Sequence, residues 1–129
     1  MPRRYCHRHG PDFGPCSCGM GRLYRMVEPT ILYLLATGRA RYGYEILQHA
    51  GEVGLTDSEI DAAAVYRTLR ALEMNGYVVS QWEPGPAGPD RRLYEITPAG
   101  REHLREWAIL LERLGGAMLR FAERCRELP

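Results

Sequence analysis

Lysine is missing from this chain; all 17 of its basic side chains are arginine. The planar guanidinium fork suits carboxylate and phosphate, but a genome rich in G and C produces the same bias, so the absence assigns no partner. Long apolar runs are missing as well. No stretch of about twenty apolar residues occurs, and the first residues lack the apolar core and small-residue cleavage site of a secretory signal. The expectation is a soluble, cytoplasmic protein with no membrane partner. Net charge is nearly absent at +1, so only a local basic surface can attract an anion. The charge is unevenly spread along the chain: residues 1–25 carry five arginines against Asp12, whereas residues 26–61 carry two arginines against six acids. Cysteine is scarce. Three of the four thiols lie within residues 6–18 and the fourth is Cys125, which in a reducing cytosol reads as ligands or buried thiols and not as a disulfide framework.

What is present divides the 129 residues into three parts: a Cys/His-rich segment over 1–25, a compact unit over 26–97 and a terminal helix over 98–129. The first part has no helical or strand period and is punctuated by glycine and proline, so it cannot order itself alone. From Pro29, "EPTILYLLATG" predicts a short, largely buried helix stopped at Gly38. "YGYEILQHAGEVG" predicts a second, with Tyr44, Leu47 and Ile46 as inward candidates. Asp57, Ser58 or Asp61 then offers an N-cap for a third helix, "AAAVYRTLRALEMNG", whose Val65, Leu69, Leu72 and Met74 recur at helical spacing. β-Branched and aromatic residues on both sides of "PGPAGP" predict an antiparallel hairpin with a long tip. Thr97 and Pro98 cap and open a last helix running to about Glu127.

Along that last helix Leu104, Trp107, Leu111, Leu114, Met118, Phe121, Cys125 and Leu128 alternate spacings of three and four. A stripe of this kind needs a covering helix, and the preceding helices are too short to supply it, which predicts self-association. Gly115 and Gly116 fall midway, either to bend the helix or to admit a partner backbone.

The order of elements is that of a winged helix-turn-helix domain with a dimerisation arm, a mainly α (α+β) fold. "YGYEIL" at 42–47, "VYRTLRALEMNGYV" at 65–78 and "RRLYEITPAGREHL" at 91–104 together resemble the PadR family of bacterial transcriptional regulators over roughly residues 27–126. The resemblance implies a homodimeric repressor binding a double-stranded DNA operator, with the third helix in the major groove and the wing along neighbouring phosphates. Tyr66, Arg67 and Arg70 would face DNA if Val65, Leu69 and Leu72 face the core, and guanidinium groups can bind phosphate or read guanine. At the wing, Arg91 and Arg92 point to opposite faces of the strand, and each phosphate contact would make binding salt-dependent. One departure stands out: Ala63 and Ala64 replace the glycine and small hydroxyl residue usual before the aliphatic-tyrosine pair. The acids Asp57, Glu59 and Asp61 suit the N-terminus of that helix electrostatically.

Thiolate and imidazole are zinc ligands, and four thiolates would also suit an iron–sulfur cluster. "CHRHGPDFGPCSC" therefore suggests a site built from Cys6, Cys16 and Cys18 with either His9 of the same chain or Cys125 of a second copy. The competing readings are a thiol redox switch and an unstructured tail. His49 and His103 read as solvated surface positions. An organic effector in the dimer interface, near Trp107 or the aromatic residues of the first helix, is an alternative signal. An enzyme is not expected, since no nucleophile, base and orienting group occur at a motif spacing; a winged-helix interaction protein without DNA binding is the remaining alternative.

Overall fold

A computed structural model describes residues 26–55 and 60–129. Helix α1 spans Val27–Thr37. Pro29 falls in its first turn, where an amide hydrogen has no helical acceptor to lose, and Thr30 ties the start by donating to the Met26 carbonyl at 2.9 Å. Val27, Ile31, Leu32, Leu34 and Leu35 are all buried, so α1 is covered on most sides and forms the centre of the core. The backbone turns left-handed at Gly38 (φ 75°), and the amides of Gly38 and Arg39 close onto the carbonyls of Leu35 and Leu34, ending the helix where expected.

Helix α2 covers Gly43–His49 and is followed by a 3-10 turn over Ala50–Val53. Its start is held by the Glu45 carboxylate, which accepts from the amides of Arg41 and Tyr42 at 3.0 and 3.2 Å. Ile46 is fully buried whereas Tyr44 is about half exposed. Of the expected inward residues Ile46 and the partly buried Leu47 pack against the core, and the Tyr44 ring lies outside it. Helix α3 spans Ala62–Met74. Asp61 is its cap, accepting from the Ala64 amide at 2.7 Å. Ala64, Val65, Leu69 and Leu72 turn inward; Met74, also proposed for the inner face, is 88% exposed, because it lies across the helix from that row.

Strands β1 (Val78–Glu83) and β2 (Arg91–Ile96) form a two-stranded antiparallel hairpin. Val78 faces Ile96 at its base and Glu83 faces Arg91 at its tip. The free edge of β2 is partly covered, since the Tyr94 amide donates to the Arg41 carbonyl at 2.8 Å. Val78 and Tyr94 join α1, α2 and α3 in one core.

Helix α4 runs unbroken over Pro98–Arg126, about 43 Å at 1.5 Å per residue. Thr97 caps it, accepting from the Gly100 amide at 3.0 Å and donating to the Gly76 carbonyl at 2.7 Å. Gly100 permits this docking: a Cβ there would stand 2.1 Å from the Tyr77 carbonyl oxygen. The apolar stripe of α4 divides. Leu104 and Trp107, assigned to a dimer interface from the sequence, pack against the chain's own core. Met118, Phe121 and Leu128, farther along, are more than half exposed, and Cys125 is exposed as well.

His103 corrects the expectation of a solvated position. Its ring stacks on Tyr77 with centroids 4.0 Å apart, and its Nε2 meets the Glu28 carboxylate. The same Glu28 oxygen accepts from the Trp107 indole at 3.0 Å. Four side chains, His103, Trp107, Glu28 and Tyr77, thus fasten the first half of α4 to α1 and to the turn after α3, contacts made across intervals that a local sequence pattern does not reveal.

Candidate nucleic-acid interface

Helix α3 offers the outward face that its inward row requires. Tyr66, Arg67 and Arg70 are all exposed, and among the described residues no carboxylate lies within 4 Å of either guanidinium. Tyr66 is nonetheless fixed in place. Its ring packs on the backbone of Gly43, where a Cβ would come within 2.5 Å of Tyr66 Cε1. The glycine of "YGYEIL" thus has a steric explanation, since α2 and α3 cross so closely there that any side chain would displace the tyrosine.

Tyr94 fills the seam between α3 and the wing. Burial pushes its phenol above the usual tyrosine range, with Glu73 and Tyr66 adding to the rise and Arg92 and Arg70 opposing it. Those four groups lie close enough to act on its charge, and the Arg92–Glu73 contact at 3.4 Å joins the end of α3 to one face of the wing.

The two wing arginines diverge, as alternation along a strand requires. Arg92 turns toward α3: its Nε donates to Ser80 Oγ at 2.7 Å, its Nη2 to Glu73 at 3.4 Å, and its guanidinium lies 5.5 Å from the Trp82 ring centroid. Arg91 turns toward α2. Its Nε donates to Glu83 at 3.0 Å and its Nη1 to the Tyr44 hydroxyl at 3.1 Å, with the guanidinium 4.0 Å above the Tyr42 ring. Tyr42 and Tyr44 stack in parallel at 5.6 Å. The Tyr42 hydroxyl also donates to Glu83. That hydrogen bond, followed by Arg91, holds the Glu83 carboxyl below its ordinary range against the opposing effect of burial, and the same bond raises the Tyr42 phenol.

Each wing arginine thus carries an acidic partner that the sequence did not single out. Glu73 and Glu83 lie 19 and 8 residues from their arginines, and only the hairpin register brings Glu83 opposite Arg91. Cross-strand pairing was a signal available for Glu83; Glu73 had none, because its contact depends on how α3 meets the sheet.

Cys6, His9, Cys16 and Cys18 lie outside the described residues, and Cys125 sits exposed near the end of α4. Among the described residues no three His, Cys, Asp or Glu side chains are arranged to hold a metal ion. Nor, among them, is any helix long and apolar enough to cross a membrane.

Three helices, a two-stranded wing and a long terminal helix define a winged helix-turn-helix regulator. The chain belongs to the transcriptional regulator PadR-like family, whose profile matches residues 31–106, and this places it among regulators and not among enzymes. A transcriptional regulator from Clostridium thermocellum is 28% identical, with a TM-score of 0.66 over 75% of this chain and 90% of that one. A PadR family regulator from Eggerthella lenta is also 28% identical, with a TM-score of 0.57 over 74% and 85% of the two chains. Bacillus subtilis PadR, solved in complex with operator DNA, shares the fold at 24% identity and a TM-score of 0.57, covering 66% of this chain and 48% of that one.

Proposed function

We propose that this protein is a dimeric repressor that binds an operator duplex, with α3 in the major groove and the wing on the flanking phosphates. The observation that carries the reading is the outward row of α3: Arg67 and Arg70 stand exposed beside the braced Tyr66, with no carboxylate within 4 Å among the described residues. Membership in a family of transcriptional regulators supports it, as does the operator complex of a relative with the same fold. Dimerisation is supported by the far half of α4, where Leu111 and Leu114 are only partly buried and Met118 and Phe121 are more than half exposed, continuing the stripe. Gly115 fits the same reading, since among the described residues a Cβ there would meet nothing within 4 Å, leaving room for a second helix to approach.

Duplexes selected from a random pool test the assignment. Replacing both Arg67 and Arg70 with alanine is expected to weaken binding at least tenfold and to lower the salt slope by about two, one counterion for each phosphate that an arginine no longer neutralises. Unchanged affinity and slope would remove α3 from the interface. A dimer that binds no duplex even at low salt would support the winged-helix interaction protein instead.

For residues 1–25 the sequence supports a metal or cluster element made by Cys6, Cys16 and Cys18 with His9 or a second chain's Cys125. Anaerobic purification with elemental analysis should find about one zinc or one iron–sulfur cluster per subunit, lost on changing Cys16 and Cys18 to alanine. A metal-free, colourless protein would leave a thiol switch or a tail.

A further inference from the structure

Glu73, Ser80 and Arg92 form a closed triangle across the junction of α3 and the wing. Ser80 Oγ donates to Glu73 Oε1 and accepts from Arg92 Nε, while Arg92 Nη2 donates to Glu73 Oε2. Glu73 lies three residues beyond Arg70 on α3, and both groups act on the phenol of Tyr94. The carboxylate therefore stands within the surface that the proposed function turns toward phosphates.

A carboxylate in that position has two opposed effects. It orients Arg92, and it competes with phosphate for the same guanidinium. The Arg92 side chain is 42% exposed and that of Glu73 is 30% exposed, so water screens the pair and it is a weak lock. A duplex that places a phosphate opposite Arg92 can take the guanidinium over. A duplex that does not leaves an acid facing its backbone, which is a repulsive element against the wrong partner.

We infer that Glu73 is a specificity-determining residue, which keeps Arg92 from phosphate until α3 is correctly seated in its groove. The inference rests on the DNA-binding reading above. Arg91 is outside this mechanism, being tied on the opposite face by Glu83 and Tyr44.

The test compares the full-length protein with Glu73→Gln, Arg92→Gln and the double variant, by fluorescence anisotropy on a selected duplex and on a scrambled one of equal length. Glu73→Gln should tighten binding of the scrambled duplex by roughly fivefold, the scale of an exposed ion pair. It should steepen the salt slope by about one counterion as Arg92 reaches phosphate, and narrow the ratio between the two duplexes. Most of this gain should vanish when Arg92 is already glutamine. Unchanged or weaker binding would overturn the inference, and an equal gain without Arg92 would reduce Glu73 to general repulsion. Ser80→Ala, which removes one corner and leaves every charge, should shift binding the same way by less, and it replaces Glu73→Gln if that variant misfolds. Wild-type protein that binds neither duplex would overturn the DNA-binding reading itself, which a failure of the variants alone would not.

Discussion

The winged unit and the far half of α4 both draw on the same apolar alphabet, yet they use it in opposite ways. Ile31, Leu32, Ile46 and Leu69 have no exposure, whereas Met118, Leu119 and Phe121 are each more than half exposed. Helical period is present in both. What separates them is closure: α1 is surrounded by α2, α3, the hairpin and the start of α4, while beyond Trp107 no residue of the stripe joins that core among the described residues. An amphipathic pattern thus reports that a face needs covering without reporting whose chain covers it.

Charging the open face should break the contrast most severely. Met118→Glu with Phe121→Glu would bury unpaired carboxylates in a dimer, costing about 3–5 kcal/mol or more. Sedimentation should show monomers across the micromolar range while the near-ultraviolet spectrum of the winged unit stays native. Dimers that persist would move the interface elsewhere. Truncation gives the complementary result: Leu69→Ala should lower the urea-unfolding free energy by about 2–5 kcal/mol through cavity formation. Phe121→Ala, measured where the chain is monomeric, should change it by less than about 0.5 kcal/mol, as an exposed substitution does.

Two glycines of α4 sharpen the same division. At Gly100 an added Cβ meets the Tyr77 carbonyl oxygen at 2.1 Å, a backbone atom with little room to yield, so Gly100→Ala should destabilise by about 1–3 kcal/mol. At Gly115 nothing among the described residues stands within 4 Å, so Gly115→Ala should stabilise the monomer by about 0.5–1 kcal/mol and weaken the dimer. Calorimetry and sedimentation read the two effects separately, and a Gly115→Ala dimer of undiminished affinity would show that no partner backbone lies there.

The sequence revealed what depends on neighbours along the chain. Gly38 and the Thr97–Pro98 pair marked helix ends through local backbone chemistry, and Val65, Leu69 and Leu72 marked the inner face of α3 through a period. Contacts set by how elements cross stayed hidden. The Glu28 carboxylate receiving both His103 and Trp107 spans more than seventy residues, and Glu73 meets Arg92 only because α3 lies against the hairpin. Even the wing, where both arginines were recognised, concealed that each is held by an acid. A residue's type suggests what it can bind, but its availability depends on what the fold places beside it.

The weakest expected effect concerns one of those acids. Glu83 has its carboxyl held below the ordinary range by Tyr42 and Arg91, so its stabilising contribution is complete above the unfolded carboxylate value of about 4.3. That contribution is lost as pH falls through the lower folded value. Tyr42 mirrors it: the phenol is raised by the same hydrogen bond, so its contribution is complete below an unfolded value of about 10 and fades as pH rises through the higher folded one. Comparing urea midpoints of wild type and Glu83→Gln from pH 7 down to 3 should show a modest difference that shrinks in the acid range, where both side chains become neutral. A difference independent of pH would mean that the contacts of Glu83 stabilise the wing through shape and not through charge.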